Sequence, residues 1–271
     1  MSSQWLRLRE PADAAARSRD LVQKVGPAPG NGALTVVHDL GCGSGSMGRW
    51  LAPMLEGAQH WVLHDRDPDL LRVALDHPPA VAADGAAVTV ESRVGDVTRL
   101  RPEALSGASL VTASALLDML TVDELERFVR CCVAAACPAL VTLSVTGRVR
   151  LTPPDPLDAV LGAAFNAHQR RRTGGRSLLG PDAAAAATHL FSALGSRVEV
   201  GASPWRLDSR NRSLAEQWLI GWVGAAGDQR PELAAAGAAY LARRRTDLDH
   251  GRLEVTVHHL DLLARPTENR E

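Results

Sequence analysis

Apolar runs of strand length alternate with helical stretches along the first half of the chain. The last of these runs is nearly continuous, which is typical of a strand buried on both faces of a parallel sheet. The runs that predict strands lie at 34–38, 61–64, 88–94, 109–114 and 139–145, and the helices between them at 46–55, 67–76 and 122–136. Strands that alternate with helices predict parallel strands joined by right-handed crossovers. We therefore expect an α/β fold with a doubly wound, mostly parallel, seven-stranded sheet.

The second half of the chain is less regular. Helices are expected at 157–171, 182–194, 213–223 and 231–245, an edge strand at 197–200, a last strand at 253–263, and an N-terminal helix at 11–24 with proline in its first turn. No internal repeat and no linker marks a second domain. We predict one domain over 1–271, with an N-terminal helix and linker (1–32), a ligand-binding core (33–146), helical insertions around an edge strand (147–252) and a last strand (253–265).

Composition and charge argue against several classes of protein. The formal net charge is −1, whereas proteins that bind nucleic-acid phosphates usually carry a basic surplus. Lys24 is the only lysine, and its setting of Gln-Lys-Val-Gly suits neither a Walker A loop nor a Schiff base. The cysteines lack paired spacings, and no run is apolar enough for a membrane span. We expect a cytoplasmic protein with no metal, nucleic-acid or membrane partner.

A glycine-rich turn and two acids follow the first three predicted strands. Residues 39–45 read Asp-Leu-Gly-Cys-Gly-Ser-Gly, and glycines at that spacing let the backbone approach a ligand closely. Asp65 can accept hydrogen bonds from both hydroxyls of a ribose, and Asp96 from the exocyclic amine of an adenine beside the N–H of Val97. Each acid alone is equally a turn or capping residue. Because carboxyl ends of parallel strands share one edge, together they predict a nucleoside site.

At these residues the chain resembles the class I S-adenosylmethionine-dependent methyltransferases. Segments 36–45, 63–68 and 95–97 are similar to that family's first, second and adenine-contacting motifs. The resemblance implies S-adenosyl-L-methionine as cofactor, with Asp39 supporting the glycine loop. The predicted cofactor contacts are Asp39, Gly41, Cys42, Gly43, Gly45, Asp65, Arg66, Asp96, Val97 and Ser114. Segment 114–118 departs from the Asn/Asp-Pro-Pro-Tyr/Phe pattern of members that methylate nucleic-acid bases, so a small-molecule acceptor is expected.

A narrower resemblance extends over nearly the whole chain. Segments 9–13, 166–170, 179–182 and 203–207 look like a set of bacterial methyltransferases, and this likeness names no substrate. In those proteins a Lys-Gly turn follows the His-Gln-Arg sequence, whereas Arg-Arg-Thr-Gly-Gly-Arg stands here at 171–176.

The acceptor side is predicted from the late insertions. Methyl transfer needs an acceptor held in line with the methyl group, and a base only if the acceptor must lose a proton. His168 is the predicted base, or else a solvent-facing helix residue. The predicted substrate contacts are Asp118, Asn166, Gln169, Arg170, Trp205 and Arg206. Arg170 can attract an anionic acceptor or simply end its helix, Asp118 can instead cap the next helix, and Trp205 can instead pack in the core.

Two other functions remain open. Segment 43–48 satisfies the GxGxxG pattern of dinucleotide-dependent oxidoreductases, and Asp65 would serve the ribose there too. Against this, Tyr240 and Lys24, each the only residue of its type, cannot form a Tyr-x-x-x-Lys pair, and Asp96 would lack a role. The second alternative is a catalytically inactive, methyltransferase-like binding or scaffold subunit, which the loop and the acids do not exclude.

Overall fold

A central sheet carries helices on both faces. The computed structural model describes residues 2–26 and 33–267, so the predicted linker at 27–32 lies outside the described residues. The strands are β1 (Thr35–Leu40), β2 (Gln59–Asp65), β3 (Val88–Val94), β4 (Leu110–Ser114), β5 (Ala139–Thr152), β6 (Arg172–Thr173), β7 (Arg176–Ser177), β8 (Ser196–Ala202), β9 (Trp205–Leu207) and β10 (Glu254–Pro266). The helices are α1 (Ser3–Ala16), α2 (Arg19–Val22), α3 (Ser46–Leu51), α4 (Pro68–Asp76), α5 (Val122–Ala134), α6 (Asp158–Gln169), α7 (Ala183–Ala193), α8 (Arg212–Gln229) and α9 (Ala234–Asp249).

The sheet has the strand order β3-β2-β1-β4-β5-β10-β8. Strands β1 to β5 are parallel, and β10 runs antiparallel to both of its neighbours. The short β9 pairs with the first half of β10. The predicted doubly wound, mostly parallel sheet is therefore confirmed, with a single reversed strand and one extra short strand.

Apolar side chains fill two layers against the sheet and a third cluster beyond it. Leu21, Trp50 and Leu71 pack helices α2, α3 and α4 on one face. Phe128 and Phe191 pack α5 and α7 on the other face. The third cluster joins α1, α6, α8 and α9 to the projecting ends of β5 and β10. The late insertions thus form a helical layer at one end of the sheet.

The N-terminal helix differs from the prediction. It begins at Ser3, because the Ser2 hydroxyl accepts a hydrogen bond from Trp5 N (3.2 Å), and Pro11 lies inside it rather than in its first turn. The chain turns at Arg17, and Ser18 caps α2. The predicted helix at 11–24 is therefore wrong in both boundaries, since hydrogen-bonding side chains at Ser2 and Ser18 set the two starts.

Other boundaries moved where a proline or a partner strand intervenes. The helix predicted at 46–55 ends at Leu51 and continues as a 3-10 turn that contains Pro53. Strand β5 runs on to Thr152, because its polar second half pairs with β10. Within the described parts of the chain, no helix is long and apolar enough to span a membrane.

Asp261 joins the N-terminal segment to the sheet. Its side chain is fully buried on β10. One carboxylate oxygen accepts from Ser18 N and the other from Leu143 N, both at 2.7 Å. Leu143 has a φ of 56°, so this buried acceptor compensates a strained turn of β5.

Asp261→Asn is expected to lower the free energy of unfolding by about 2–3 kcal/mol, because an amide nitrogen then faces a backbone donor where a carboxylate oxygen accepted. Urea unfolding of the purified variant measures the change. Asp69→Asn, on the exposed first turn of α4, is the matched control and should shift stability by less than about 0.5 kcal/mol. Equal losses in the two variants would contradict the role given to Asp261.

Candidate active site

The glycine loop lies at the carboxyl edge of the sheet, between β1 and α3. Gly41 and Gly43 have φ values of 67° and 55°, in the left-handed region. A Cβ at Gly41 would also lie 3.0 Å from Leu116 Cδ1. A side chain at Gly41 is therefore disfavoured for two reasons, backbone conformation and space.

Strand β2 holds the loop in place. Gly41 N and Cys42 N donate to the carbonyl of His64 (2.8 and 3.0 Å), and Gly43 N donates to Asp65 Oδ2 (2.8 Å). Asp65 Oδ1 accepts from Asp67 N at 3.0 Å. The structure thus brings the glycine loop and the predicted ribose acid into direct contact.

Asp39 and Asp96 lie on opposite sides of this contact. Asp39 is fully buried and accepts from the Thr112 hydroxyl (2.8 Å); burial raises the pKa of its carboxyl to about 6. It therefore lies in the buried sheet immediately before the loop, and its predicted role in supporting the loop stays a prediction. Asp96 is exposed at the end of β3, and its Oδ1 accepts from both N and Oγ1 of Thr98. Asp96 thus caps a turn, as its alternative interpretation states, and still presents its carboxylate at the same edge.

Arg17 was missed by the sequence analysis. Its Nη2 donates to Ser46 Oγ (3.1 Å) and Ser114 Oγ (3.0 Å), and its guanidinium lies over the ring of Trp50. The side chain is buried, and its Nε has no partner among the residues that the structure describes. A cation is therefore present between the loop helix and the end of β4, beside the predicted contact Ser114.

The signal for Arg17 is a charged stripe along α1. Arg9, Asp13 and Arg17 are spaced by four residues and so lie on one face of the helix. The predicted helix began at residue 11 and so left out Arg9, the first residue of the stripe. A search for the Ser2 cap would have revealed it.

The same stripe holds Trp205. Arg9 forms a two-pronged ion pair with Asp13 (2.8 and 3.1 Å), and the indole Nε1 of Trp205 donates to Asp13 Oδ1 at 3.0 Å. The Arg9 guanidinium lies 4.9 Å from the centre of a Trp205 ring. Trp205 is buried, whereas Arg206 is exposed and lines a separate groove with Pro11. These two predicted substrate residues therefore do not face the same region.

Asp118 lies in the turn that follows β4. It is half-buried, and burial raises the pKa of its carboxyl to about 6, while Arg9 and Arg171 act in the opposite direction. The alternative that Asp118 caps α5 is wrong, because the Thr121 hydroxyl accepts from Glu124 N and forms a capping box. Asp118 is thus free of that structural task.

Helix α6 presents its predicted residues in different directions. Asn166 Nδ2 donates to the carbonyl of Gly147 (2.8 Å). His168 follows two positions later, about 200° around the helix, and so faces away from Gly147. Burial and the Arg171 guanidinium lower the pKa of His168. Arg170 is turned outward in a two-pronged pair with Asp182 (2.5 and 2.7 Å).

Two side-chain oxygens of α6 are buried hydrogen-bond acceptors. Asn166 Oδ1 and Gln169 Oε1 are inaccessible and make no hydrogen bond to any described residue. Among those residues there is also no group of three or more His, Cys, Asp or Glu side chains that could hold a metal ion.

The core of the chain matches a known family. Residues 37–138 match the sequence model described as "Methyltransferase domain". The part of the chain that holds the glycine loop, Asp65 and Asp96 is thus similar to a methyltransferase domain. None of the curated proteins compared with the chain matches it.

Solved structures share the fold of this chain over nearly its whole length. A cyclopropane-fatty-acyl-phospholipid synthase-like protein from Lactobacillus casei is 14% identical, with a TM-score of 0.54 over 96% of this chain and 92% of that chain. A mycolic acid cyclopropane synthase, solved with SAH and CTAB, is 14% identical, with a TM-score of 0.51 over 97% and 94%. A cyclopropane synthase from Mycobacterium tuberculosis gives 14% and 0.50 over 98% and 95%. At this identity the likeness concerns the fold alone.

The sheet of this chain also differs from that of dinucleotide-dependent oxidoreductases. Their order, 3-2-1-4-5-6, is parallel throughout. Here the reversed strand β10 is inserted between β5 and β8. The GxGxxG match at 43–48 therefore lies in a sheet that contains a reversed strand, unlike the sheet of the oxidoreductases.

Asp118→Asn is expected to stabilise the protein at pH 8 and to leave its stability unchanged near pH 4. The folded carboxyl titrates at about 6 and the unfolded one near about 4, so the stability of the native chain falls as pH rises between these values. The variant has no carboxyl at this position and so keeps this stability. We expect its free energy of unfolding at pH 8 to be higher by about 1–2 kcal/mol, because the group is partly exposed.

Urea unfolding of both proteins at the two pH values measures this difference. Asp123→Asn, an exposed substitution in the first turn of α5, is the control and should show no pH-dependent difference of that size. A gain of the same size at both pH values would show that Asp118 is not held in a desolvated position.

Proposed function

We propose that this chain transfers a methyl group from S-adenosyl-L-methionine to a small-molecule acceptor by in-line displacement. The observation that carries the proposal is the hydrogen bond between Gly43 N and Asp65 Oδ2, at the carboxyl edge of a methyltransferase domain. It joins the glycine loop to Asp65, the proposed ribose acid, and Asp96 lies at the next strand end. A fold relative, the mycolic acid cyclopropane synthase, was solved with SAH.

The residues at this edge fit the cofactor. The glycine loop would hold its amino-acid end, Asp65 its ribose, and Asp96 with Val97 its adenine. Arg17 adds a guanidinium whose Nε lacks a partner in the described chain, and a guanidinium matches a carboxylate in shape and charge. When bound, the cofactor supplies a methyl group activated by an adjacent sulfonium.

Helix α1 covers the loop and would keep water from it. A Cβ at Gly43 would lie 3.2 Å from Leu6 Cδ1. Glu10 and Arg49 join α1 to α3 through two hydrogen bonds of 2.7 Å each. We infer that α1 forms a wall of the site and excludes water around the methyl group.

The acceptor side is assigned to the residues around the turn after β4 and the facing end of α6. We keep His168 as the predicted base and add Asp118 as a rival, because a carboxyl with a pKa of about 6 accepts a proton readily near neutral pH. The proposed substrate contacts are Asp118, Asn166, Gln169, Arg170, Trp205 and Arg206. We also propose that the whole chain acts as one domain in the cytoplasm, in keeping with its four free cysteines.

Calorimetric titration with S-adenosylhomocysteine, beside NADH and NADP⁺, tests the cofactor. We expect the homocysteine compound alone to bind, and Asp65→Ala to weaken its binding roughly tenfold or more, since charged hydrogen bonds are lost. Arg17→Lys keeps the charge but loses the fork, and should weaken binding as well. Asp69→Asn, on the exposed face of α4, is the control.

Unchanged affinity in Asp65→Ala would mean that the ribose site lies elsewhere. Binding of a nicotinamide cofactor would overturn the proposal. Binding of S-adenosylhomocysteine without any methyl transfer would favour the inactive, scaffold-like alternative.

Labelled S-adenosyl-L-methionine, incubated with the small-molecule fraction of a cell extract, tests the base. His168→Asn is expected to slow transfer by roughly 10²–10⁴-fold at unchanged affinity for S-adenosylhomocysteine. If His168→Asn transfers normally and Asp118→Asn is slow, the base is Asp118. If both variants transfer normally, the acceptor needs no base from either residue.

A further inference from the structure

Five arginines surround one cavity beside the adenine end of the proposed cofactor site. We call this the arginine cavity, and its volume is about 610 Å³. The residues whose charged groups line it are Arg66, Arg99, Arg101, Arg127, Arg176, Asp96 and Glu124. The arginines come from the loop after β2, the turn after β3, helix α5 and strand β7, so the fold brings them together from separate parts of the chain.

Positive charge is in excess there. Five guanidinium groups face two carboxylates, in a chain whose formal net charge is −1. Glu124 is already engaged by Arg176 (2.9 and 2.6 Å). Arg99 and Arg101 make no side-chain hydrogen bond or ion pair to any residue that the structure describes, and the same holds for Arg66. Three guanidinium groups therefore converge near a single further carboxylate, that of Asp96, and none of them is hydrogen-bonded or ion-paired to it.

Backbone contacts hold two of the guanidinium groups in position. Arg127 Nη1 donates to the carbonyl of Thr98 (2.5 Å), and Arg176 Nη2 donates to the carbonyl of Met119 (2.8 Å). The first bond joins α5 to the turn after β3. The second joins the β6–β7 hairpin to the turn after β4. The walls of the cavity are thus braced before any ligand enters, which favours a bound anion over a merely solvated surface.

We propose that the arginine cavity binds a phosphate or pyrophosphate group of a small molecule. Like charges that converge repel one another, and an anion relieves this repulsion. A phosphate group carries up to about two charges and several acceptor oxygens, which suits three unpaired guanidinium groups better than one carboxylate does. The cavity volume admits a small phosphorylated molecule and not only an ion. The assignment goes beyond the proposed methyl transfer and does not depend on it.

Two sources of phosphate are chemically equivalent at this cavity. One is a second ligand, such as a phosphorylated acceptor, which binds beside the cofactor. The other is a phosphorylated adenine compound, whose base would take the place of the cofactor's adenine at Asp96. Saturation with S-adenosylhomocysteine separates them, because only the second source competes with it.

Calorimetric titration of the full chain with inorganic pyrophosphate, at low ionic strength, tests the proposal. We expect binding by the native chain, and a loss of roughly tenfold or more in Arg99→Gln/Arg101→Gln, which removes charge-assisted hydrogen bonds. Arg148→Gln/Arg150→Gln is the matched control: it removes two exposed arginines at the same spacing, on β5, and should bind as the native chain does. Arg99→Lys/Arg101→Lys keeps the charge and should retain part of the affinity.

A repeat of the titration with saturating S-adenosylhomocysteine identifies the ligand. Retained pyrophosphate binding supports the cavity as a site for a second ligand, and displaced pyrophosphate supports it as a site for a phosphorylated adenine compound. No binding by the native chain, or equal losses in the glutamine and control pairs, would overturn the assignment. Because S-adenosylhomocysteine is titrated separately, failure here is distinct from failure of the proposed cofactor.

Discussion

The guanidinium of Arg17 is buried and donates to the hydroxyls of Ser46 and Ser114. Burial lowers its pKa, and the charges of three carboxylates, Asp13, Asp39 and Asp261, favour its ionised form. Asp13 belongs to α1, Asp39 to the first strand and Asp261 to the last. The N-terminal helix therefore cannot leave the sheet edge without breaking the hydrogen bonds of Arg17 to Ser46 and Ser114.

The reversed strand β10 organises the other half of the site. Because it pairs with the whole length of β5, both strands project beyond the sheet and offer a base for α6, α8 and α9. The buried pair of Tyr240 and Arg244 then ties α9 to Asp158 at the start of α6. The proposed acceptor side is thus built on a scaffold separate from the parallel core.

Predictions from the sequence were correct mainly for features that residues close together in the chain determine. The glycine loop and Asp65 were found because consecutive residues carry their signal, and β3 has the predicted bounds because its alternation is local. The capping role offered for Asp118 was wrong, since Thr121 and Glu124 form a better local pair three residues on. Arg17 was missed because its helix was started too late, and the burial of a charged stripe runs against the usual reading of amphipathic helices.

By itself, the sequence determined the order of strands and helices, the parallel core, the glycine turn and the acids at successive strand ends. These features depend on contacts between residues close in the chain and on general rules of strand connection. Only the tertiary structure decided that β10 is reversed, that Arg17 lies between Ser46 and Ser114, and that Asn166 contacts Gly147. It also brought five arginines to one cavity. Such arrangements join residues up to hundreds of positions apart, and their energy comes from burial and charge compensation that exist only once the chain has folded.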